Sequence, residues 1–151
     1  MRETIKEILH DYWGYDSFRP LQEDIIMSVM QGRDTLGLLP TGGGKSITFQ
    51  VPAMALDGLT LVVTPLIALM KDQVDNLAAR GISNAVTING LLDPIERSVA
   101  VNQVADGTAN LLYIAPEMLR SKTIERLLVG RDVVRFVIDE AHCFSAWGHD
   151  F

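Results

Sequence analysis

The sequence predicts an α/β fold in which a mostly parallel sheet carries helices on both faces. Short apolar segments alternate along the chain with segments whose apolar residues recur at helical spacing, and this alternation indicates βαβ units. The apolar segments are uninterrupted, as at residues 61–63, which is typical of strands buried on both faces. With 151 residues, of which 48% are hydrophobic, the chain is long enough for one domain with one packed core.

The amino-terminal elements are two predicted helices and a strand. Apolar residues between positions 5 and 12 recur at helical spacing and predict a short opening helix. Pro20 stands where a helix favours its first residue, and Gly32 ends this second helix. The apolar face of the second helix is formed by Leu21, Ile25 and Val29. Residues 36–39 then predict a brief apolar strand.

Further along the chain, helices and strands alternate regularly. Helices are predicted at residues 45–55, 66–77 and 118–128. Strands are predicted at residues 59–64, 85–88, 111–114 and 133–138. Another helix is predicted to begin at Asp93, because this N-cap is followed by Pro94 and by the capping-box residue Glu96. In such sheets, ligands bind beyond the carboxyl ends of the strands, so these ends are where functional motifs are expected.

The composition excludes several classes of protein. Charged residues make up 21% of the chain and no polar repeat is present, which argues against disorder. A single cysteine, Cys143, excludes an internal disulfide and a cysteine-based zinc site. No segment is apolar enough for a secretory signal or a membrane span. We therefore expect a cytoplasmic protein with no membrane partner.

The net charge of −6 argues mildly against nucleic-acid binding, because contacts to phosphates need lysine and arginine. The argument is weaker for a protein that holds a nucleic-acid strand in a local groove, because the second wall of such a groove can belong to another domain.

A glycine-rich segment, LPTGGGKS at residues 39–46, follows one predicted strand and opens a predicted helix. Glycines let backbone N–H groups converge on phosphate oxygens, and a helix N-terminus adds partial positive charge. In such a phosphate loop, Lys45 would reach the β- and γ-phosphates and Ser46 would hold Mg²⁺. The candidate nucleotide-binding residues are Thr41, Gly42, Gly43, Gly44, Lys45 and Ser46. Leu39 replaces the usual first glycine, so a glycine-rich turn with a chance Lys-Ser pair is the alternative.

An acidic box follows the strand predicted at residues 133–138. Asp139 can hold a Mg²⁺ shell at the strand end, and Glu140 can orient and deprotonate an attacking water. His142 is the last residue of this box. Together with Lys45 of the phosphate loop, the candidate catalytic residues are Asp139, Glu140 and His142. An ordinary acidic turn is the alternative interpretation, and the phosphate loop upstream makes the catalytic one stronger.

Together these motifs resemble those of superfamily 2 helicases and, more specifically, of the RecQ helicases. The resemblance is carried by YDSFRPLQ at residues 15–22, PTGGGKS at 40–46, TPLIALMKDQV at 64–74, YIAPE at 113–117 and HCFSAWGHDF at 142–151. It implies a RecA-like lobe of an ATP-dependent 3′–5′ DNA helicase that acts in repair and recombination. ATP and Mg²⁺ would be its cofactors, and single-stranded and branched DNA its partners.

The resemblance also implies how the base of ATP is bound. Gln22 would hydrogen-bond the N6/N7 edge of adenine, the pairing that an amide makes best. Tyr15 and Arg19 would flank the base by stacking and cation–π contact. Core packing is the alternative for Tyr15, and a surface salt bridge is the alternative for Arg19.

Contacts to DNA are implied for a further set of residues. Thr64 and Pro65 would start a helix whose amides point at DNA phosphates, although a plain helix N-cap is also possible. Lys71 would contact a phosphate or belong to a solvated face. Phe144 and Trp147 would stack on bases or couple DNA binding to ATP chemistry, with packing as the alternative.

The expected domain organisation is one lobe, residues 1–151, that ends inside the aromatic-rich loop. A second RecA-like lobe and the C-terminal domains of RecQ proteins are missing, so we expect a piece of a longer protein that is nearly inactive alone. Two other functions stay open. One is a stand-alone nucleotide-binding module that acts through a partner, and the other is a lobe of an RNA helicase or chromatin-type translocase.

Overall fold

The computed structural model describes residues 2–33, 35, 44–131 and 133–138, and it confirms the predicted α/β fold with a parallel sheet. The chain divides into two compact units, Met1–Asp57 and Gly58–Phe151. The strand predicted at residues 36–39 lies outside the described residues.

The described part of the first unit is helical. It contains α1 (Arg2–Ile8), a π-helical turn (Leu9–Trp13), α2 (Gln22–Met30) and α3 (Ile47–Ala55). Both α1 and α2 pack against α3. The side chains at the centre of this packing are almost completely buried, and they are Ile5, Leu9, Ile26 and Val51.

The second helix differs from its prediction. It begins at Gln22, so Pro20 is not its first residue but lies in the turn before it. Leu21 is 55% exposed, and the buried positions of α2 are Gln22 and Ile26. The predicted apolar face is therefore only partly correct: Ile25 and Val29 are half-buried, whereas the fully buried positions follow Leu21 and Ile25 by one residue.

The second unit alternates strands and helices as predicted. Its elements are β1 (Leu59–Val63), α4 (Ile67–Ala79), β2 (Ala85–Ile88), α5 (Pro94–Ala105), β3 (Leu111–Ile114), a 3-10 turn (Pro116–Arg120), α6 (Lys122–Val129) and β4 (Val133–Ile138). The bounds of β2, β3 and β4 match their predictions. The helix predicted at residues 118–128 is instead divided at Ser121, whose hydroxyl accepts the amide of Ile124 and begins α6.

All four described strands are parallel and lie in the order β2-β3-β1-β4. In the register of the sheet, Val63 is paired with Ile114 on one side and with Ile138 on the other. Every residue of β1 and β3 is buried. Because successive residues of a strand face opposite sides, both faces of these two strands are covered.

Strand β4 is exposed on one face, unlike β1 and β3. Its side chains alternate, and Val134, Phe136 and Ile138 are exposed. On the other face, Arg135 donates from Nε to the hydroxyl of Thr60 at 3.0 Å. Partial burial lowers the pKa of the Arg135 guanidinium, since desolvation disfavours its charged form.

Helix α5 is bounded by an aspartate at each end. The predicted capping box is present: the Asp93 carboxylate accepts the amide of Glu96 at 2.8 Å, and the amide of Asp93 donates to the Glu96 carboxylate. At the other end, the Asp106 carboxylate accepts the amide of Thr108 at 2.8 Å. No helix in the described residues is long and apolar enough to cross a membrane.

We expect Leu112→Ala to lower the free energy of unfolding by about 2–5 kcal/mol, because it removes a fully buried side chain from the centre of the sheet. Chemical denaturation measures the change. The matched control is Leu91→Ala, since Leu91 is 78% exposed and its truncation should change stability by less than about 0.5 kcal/mol. Equal effects of the two substitutions would contradict the described core.

Candidate functional site

A cavity of about 430 Å³ lies in the first unit, where residues 15–22 meet the segment that leads into α3. This volume is within the range of small-molecule sites, roughly 300–1,000 Å³. The cavity is lined by Tyr15, Ser17, Arg19, Gln22, Gly44, Lys45, Ser46 and Ile47. The structure therefore brings together residues from two separate sequence motifs, one expected to bind adenine and the other expected to bind phosphates.

The side-chain amide of Gln22 connects the two motifs. Its Oε1 accepts the backbone N–H of Arg19 at 2.8 Å, and its Nε2 donates to the carbonyl of Gly44 at 2.9 Å. Gln22 is only 2% exposed, so a lost hydrogen bond here would leave a buried polar group unsatisfied. The orientation of the amide is thus fixed by backbone groups on both sides.

Gly44 occupies a position that disfavours other residues. Its φ of +74° lies in the left-handed region, and a Cβ built on it would lie 2.5 Å from Gln22 Nε2. An alanine here would be strained, and it would also displace the amide that donates to the Gly44 carbonyl. The last glycine of the loop is therefore required both by its backbone angle and by the close approach of Gln22.

Lys45 and Ser46 lie immediately before α3. Ser46 is the N-cap of this helix, and its carbonyl accepts the amide of Gln50 at 3.0 Å. Within the described residues its hydroxyl makes no capping hydrogen bond. The Lys45 carbonyl accepts both the amide and the hydroxyl of Thr48. Both residues thus line the cavity at a helix N-terminus, where partial positive charge favours an anion.

Two further lining residues have no role in the sequence-based prediction. Ser17 lies inside the segment 15–22, and Ile47 is the first residue of α3. Their positions within or next to a motif were the available signal. Tyr15 is 48% exposed and lines the cavity, so the structure does not support core packing for it.

Several predicted site residues lie outside the described part of the chain. They are Thr41, Gly42, Gly43, Asp139, Glu140, His142, Phe144 and Trp147. Their roles stay predictions based on the sequence.

The predicted DNA-contacting residues near β1 belong to the second unit. Thr64 follows the carboxyl end of β1, is buried, and accepts the amide of Leu66 at 3.4 Å through its hydroxyl. Helix α4 begins only at Ile67, so Thr64 is not its N-cap. Pro65 precedes the helix, and Lys71 is exposed on it. The structure thus places Thr64 and Pro65 at the sheet edge where such folds bind ligands.

The chain is similar to several known helicases. The family model for DEAD/DEAH box helicases matches residues 19–151. The probable ATP-dependent DNA helicase RecS of Bacillus subtilis is 44% identical over 97% of this chain and 29% of its own length. The ATP-dependent DNA helicase RecQ of the same organism is 46% identical over 100% of this chain and 26% of its own length. These relatives confirm the resemblance to RecQ helicases, and the chain spans about a quarter of their length.

Solved structures confirm the fold. The DUF1998 helicase MrfA, bound to DNA and AMPPNP, has a TM-score of 0.75 and 25% identity, covering 94% of this chain and 21% of its own. A hypothetical ATP-dependent RNA helicase from Sulfolobus tokodaii has a TM-score of 0.74 and 22% identity, covering 98% of this chain and 44% of its own.

We expect Gly44→Ala to weaken Mg–ATP binding about tenfold, because the new Cβ displaces the Gln22 amide and strains the loop. Calorimetric titration with Mg–ATP measures the affinity. Gly32→Ala is the matched control, since Gly32 has a similar φ of +77° with no atom within 4 Å of its ideal Cβ. If both variants bind Mg–ATP equally well, the close approach of Gln22 has no role in binding.

Proposed function

Because the chain belongs to the DEAD/DEAH box helicase family, we propose that it is the ATP-binding lobe of a RecQ-type DNA helicase. This helicase couples ATP hydrolysis to 3′–5′ translocation on single strands and to duplex unwinding, in DNA repair and recombination. The observation that carries the proposal is the cavity in the first unit, which joins the Gln22 segment to Gly44, Lys45 and Ser46.

The residues of the cavity have the chemistry that a nucleotide requires. Beyond its two backbone hydrogen bonds, the Gln22 amide has a second N–H and a second lone pair to offer to the adenine edge, and the Tyr15 ring and Arg19 guanidinium can flank the base. The Lys45 ammonium and the N-terminus of α3 supply positive charge for the phosphates. The residues proposed to recognise the base and those proposed to bind the phosphates therefore line the same cavity.

The metal and the catalytic groups follow from the sequence motifs. Ser46 and Asp139 would hold Mg²⁺, which when bound neutralises charge on the β- and γ-phosphates. The Ser46 hydroxyl suits this role, because it makes no helix-capping hydrogen bond within the described residues. Glu140 would orient and deprotonate the attacking water, beside His142.

Single-stranded and branched DNA are the proposed macromolecular ligands. Thr64 and Pro65 lie beyond the carboxyl end of β1 and lead into α4, whose N-terminal amides would face DNA phosphates, and the exposed Lys71 would add a charge. Phe144 and Trp147 would stack on bases or couple DNA to ATP chemistry. The names of the RecQ and RecS relatives favour DNA, whereas the similarity to a hypothetical RNA helicase supports the fold alone.

A second RecA-like lobe, carried by a longer parent protein, would complete the motor. This chain covers 29% of the RecS relative and 26% of the RecQ relative, which favours a lobe over a stand-alone nucleotide-binding module. Arginines from the second lobe would stabilise charge that develops on the γ-phosphate. A cytoplasmic location, on the nucleoid in a bacterium, fits such an enzyme.

We expect Lys45→Ala, made in the parent protein, to reduce DNA-stimulated ATP turnover by about 10²-fold or more, because a cation at the β/γ-phosphates is lost. Steady-state phosphate release measures turnover, and circular dichroism checks the fold. Lys122→Ala is the control, since it removes an exposed lysine on α6 that does not line the cavity. Turnover retained by Lys45→Ala would refute the assignment of the loop.

The 151-residue chain alone should bind Mg–ATP weakly and hydrolyse it negligibly. An arginine supplied from across a cleft contributes about 10³- to 10⁵-fold to the rate in related phosphoryl-transfer enzymes. Phosphate release by the purified chain, with and without single-stranded DNA, measures the residual rate. Strong DNA-stimulated turnover that survives dilution would show that the chain has a complete active site.

A further inference from the structure

Leu21 has an unusual backbone conformation. In the described part of the chain it is the only residue other than glycine with a positive φ, at φ 72° and ψ −21°. The amide of Gln22 donates to the carbonyl of Arg19 at 3.1 Å, so residues 19–22 form a β-turn with Pro20 second and Leu21 third. These angles are those of the third residue of a type II turn, where glycine or asparagine is favoured.

The leucine side chain does not explain this conformation. A left-handed backbone is unfavourable for a residue with a Cβ, and burial of the side chain could offset that cost. Leu21 is instead 55% exposed, so most of its apolar surface stays in water. The strain is therefore held by the surrounding structure for a reason other than packing of this side chain.

The consequence of the turn is seen at Gln22. Because the chain reverses at Leu21, the Gln22 side chain folds back and its Oε1 accepts the amide of Arg19 at 2.8 Å. The same turn directs Nε2 to the carbonyl of Gly44 at 2.9 Å. A negative φ at Leu21 would redirect α2 at its first residue and would break this pair of contacts.

We infer that Leu21 is a positioning residue for recognition of adenine: its left-handed backbone orients the Gln22 amide in the cavity. This inference rests on the proposed nucleotide-binding function. If it holds, the effect of a substitution at position 21 on nucleotide preference depends on how well the new residue tolerates a positive φ. The size and hydrophobicity of the new residue do not set the order. Glycine and asparagine should therefore preserve the site, whereas isoleucine, an isomer of leucine that is β-branched, should damage it.

The test measures the affinities of the 151-residue chain for Mg–ATP and Mg–GTP by calorimetric titration, and compares their ratio among variants. We expect Leu21→Gly and Leu21→Asn to keep the preference for ATP. Leu21→Ile should reduce the preference about tenfold, as should Gln22→Ala, which removes the amide itself. Leu66→Ile is the matched control, since Leu66 is also an exposed helix N-cap but has an ordinary φ of −95°.

The outcomes separate the inference from the proposed function. If the unmodified chain shows no preference for ATP over GTP, adenine recognition fails and the inference fails with it. If Gln22→Ala loses the preference and Leu21→Ile keeps it, adenine recognition stands and the inference is wrong. Loss of the preference in Leu21→Gly or Leu21→Asn, with unchanged thermal unfolding, would also overturn it, because the leucine side chain itself would then be required. Should Leu21→Ile not fold, these two variants decide the question.

Discussion

The parallel direction of the strands is the constraint on which the second unit depends. Parallel neighbours cannot be joined by a tight turn, so each connection between the described strands contains a helix that crosses the sheet. Helices α5 and α6 pack on one face of β1 and β3, and both strands consist of buried residues along their whole length. The same constraint puts every carboxyl end at one edge, where Thr64 follows β1.

In the first unit, a single buried amide has a comparable role. Gln22 contacts the backbone of its own turn and the backbone of the glycine-rich segment, so the geometry of one motif constrains the other. A hydrocarbon side chain of similar size could fill the same space, but it has no donor or acceptor through which the backbone groups could fix its orientation. Recognition of a base edge needs such an orientation, because a donor and an acceptor must face their counterparts together.

The sequence was sufficient for the strands of the second unit and for the capping box at Asp93, because apolar runs and N-cap residues are local signals. It was insufficient at Leu21 and Gln22. A left-handed leucine contradicts local preference, and a buried glutamine is invisible to a count of apolar residues. The division of the helix at Ser121 was also missed, since the apolar spacing continues across it. For the site, the phosphate loop was evident from its residues, whereas the approach of Gln22 to Gly44 depends on tertiary structure.

The two aspartates that bound α5 make this helix sensitive to acid. The pKa of Asp93 is lowered chiefly by the amide of Glu96, and that of Asp106 by the hydroxyl and amide of Thr108. A carboxyl whose pKa is lower in the folded state stabilises the fold above its ordinary value of 3.8, and this contribution is lost as the pH falls through the folded value. Both carboxylates therefore become weaker hydrogen-bond acceptors when they are protonated at low pH. Protonation would weaken the capping box at the start of α5 and the turn that follows its end, whereas the strands of the sheet contain no carboxylate.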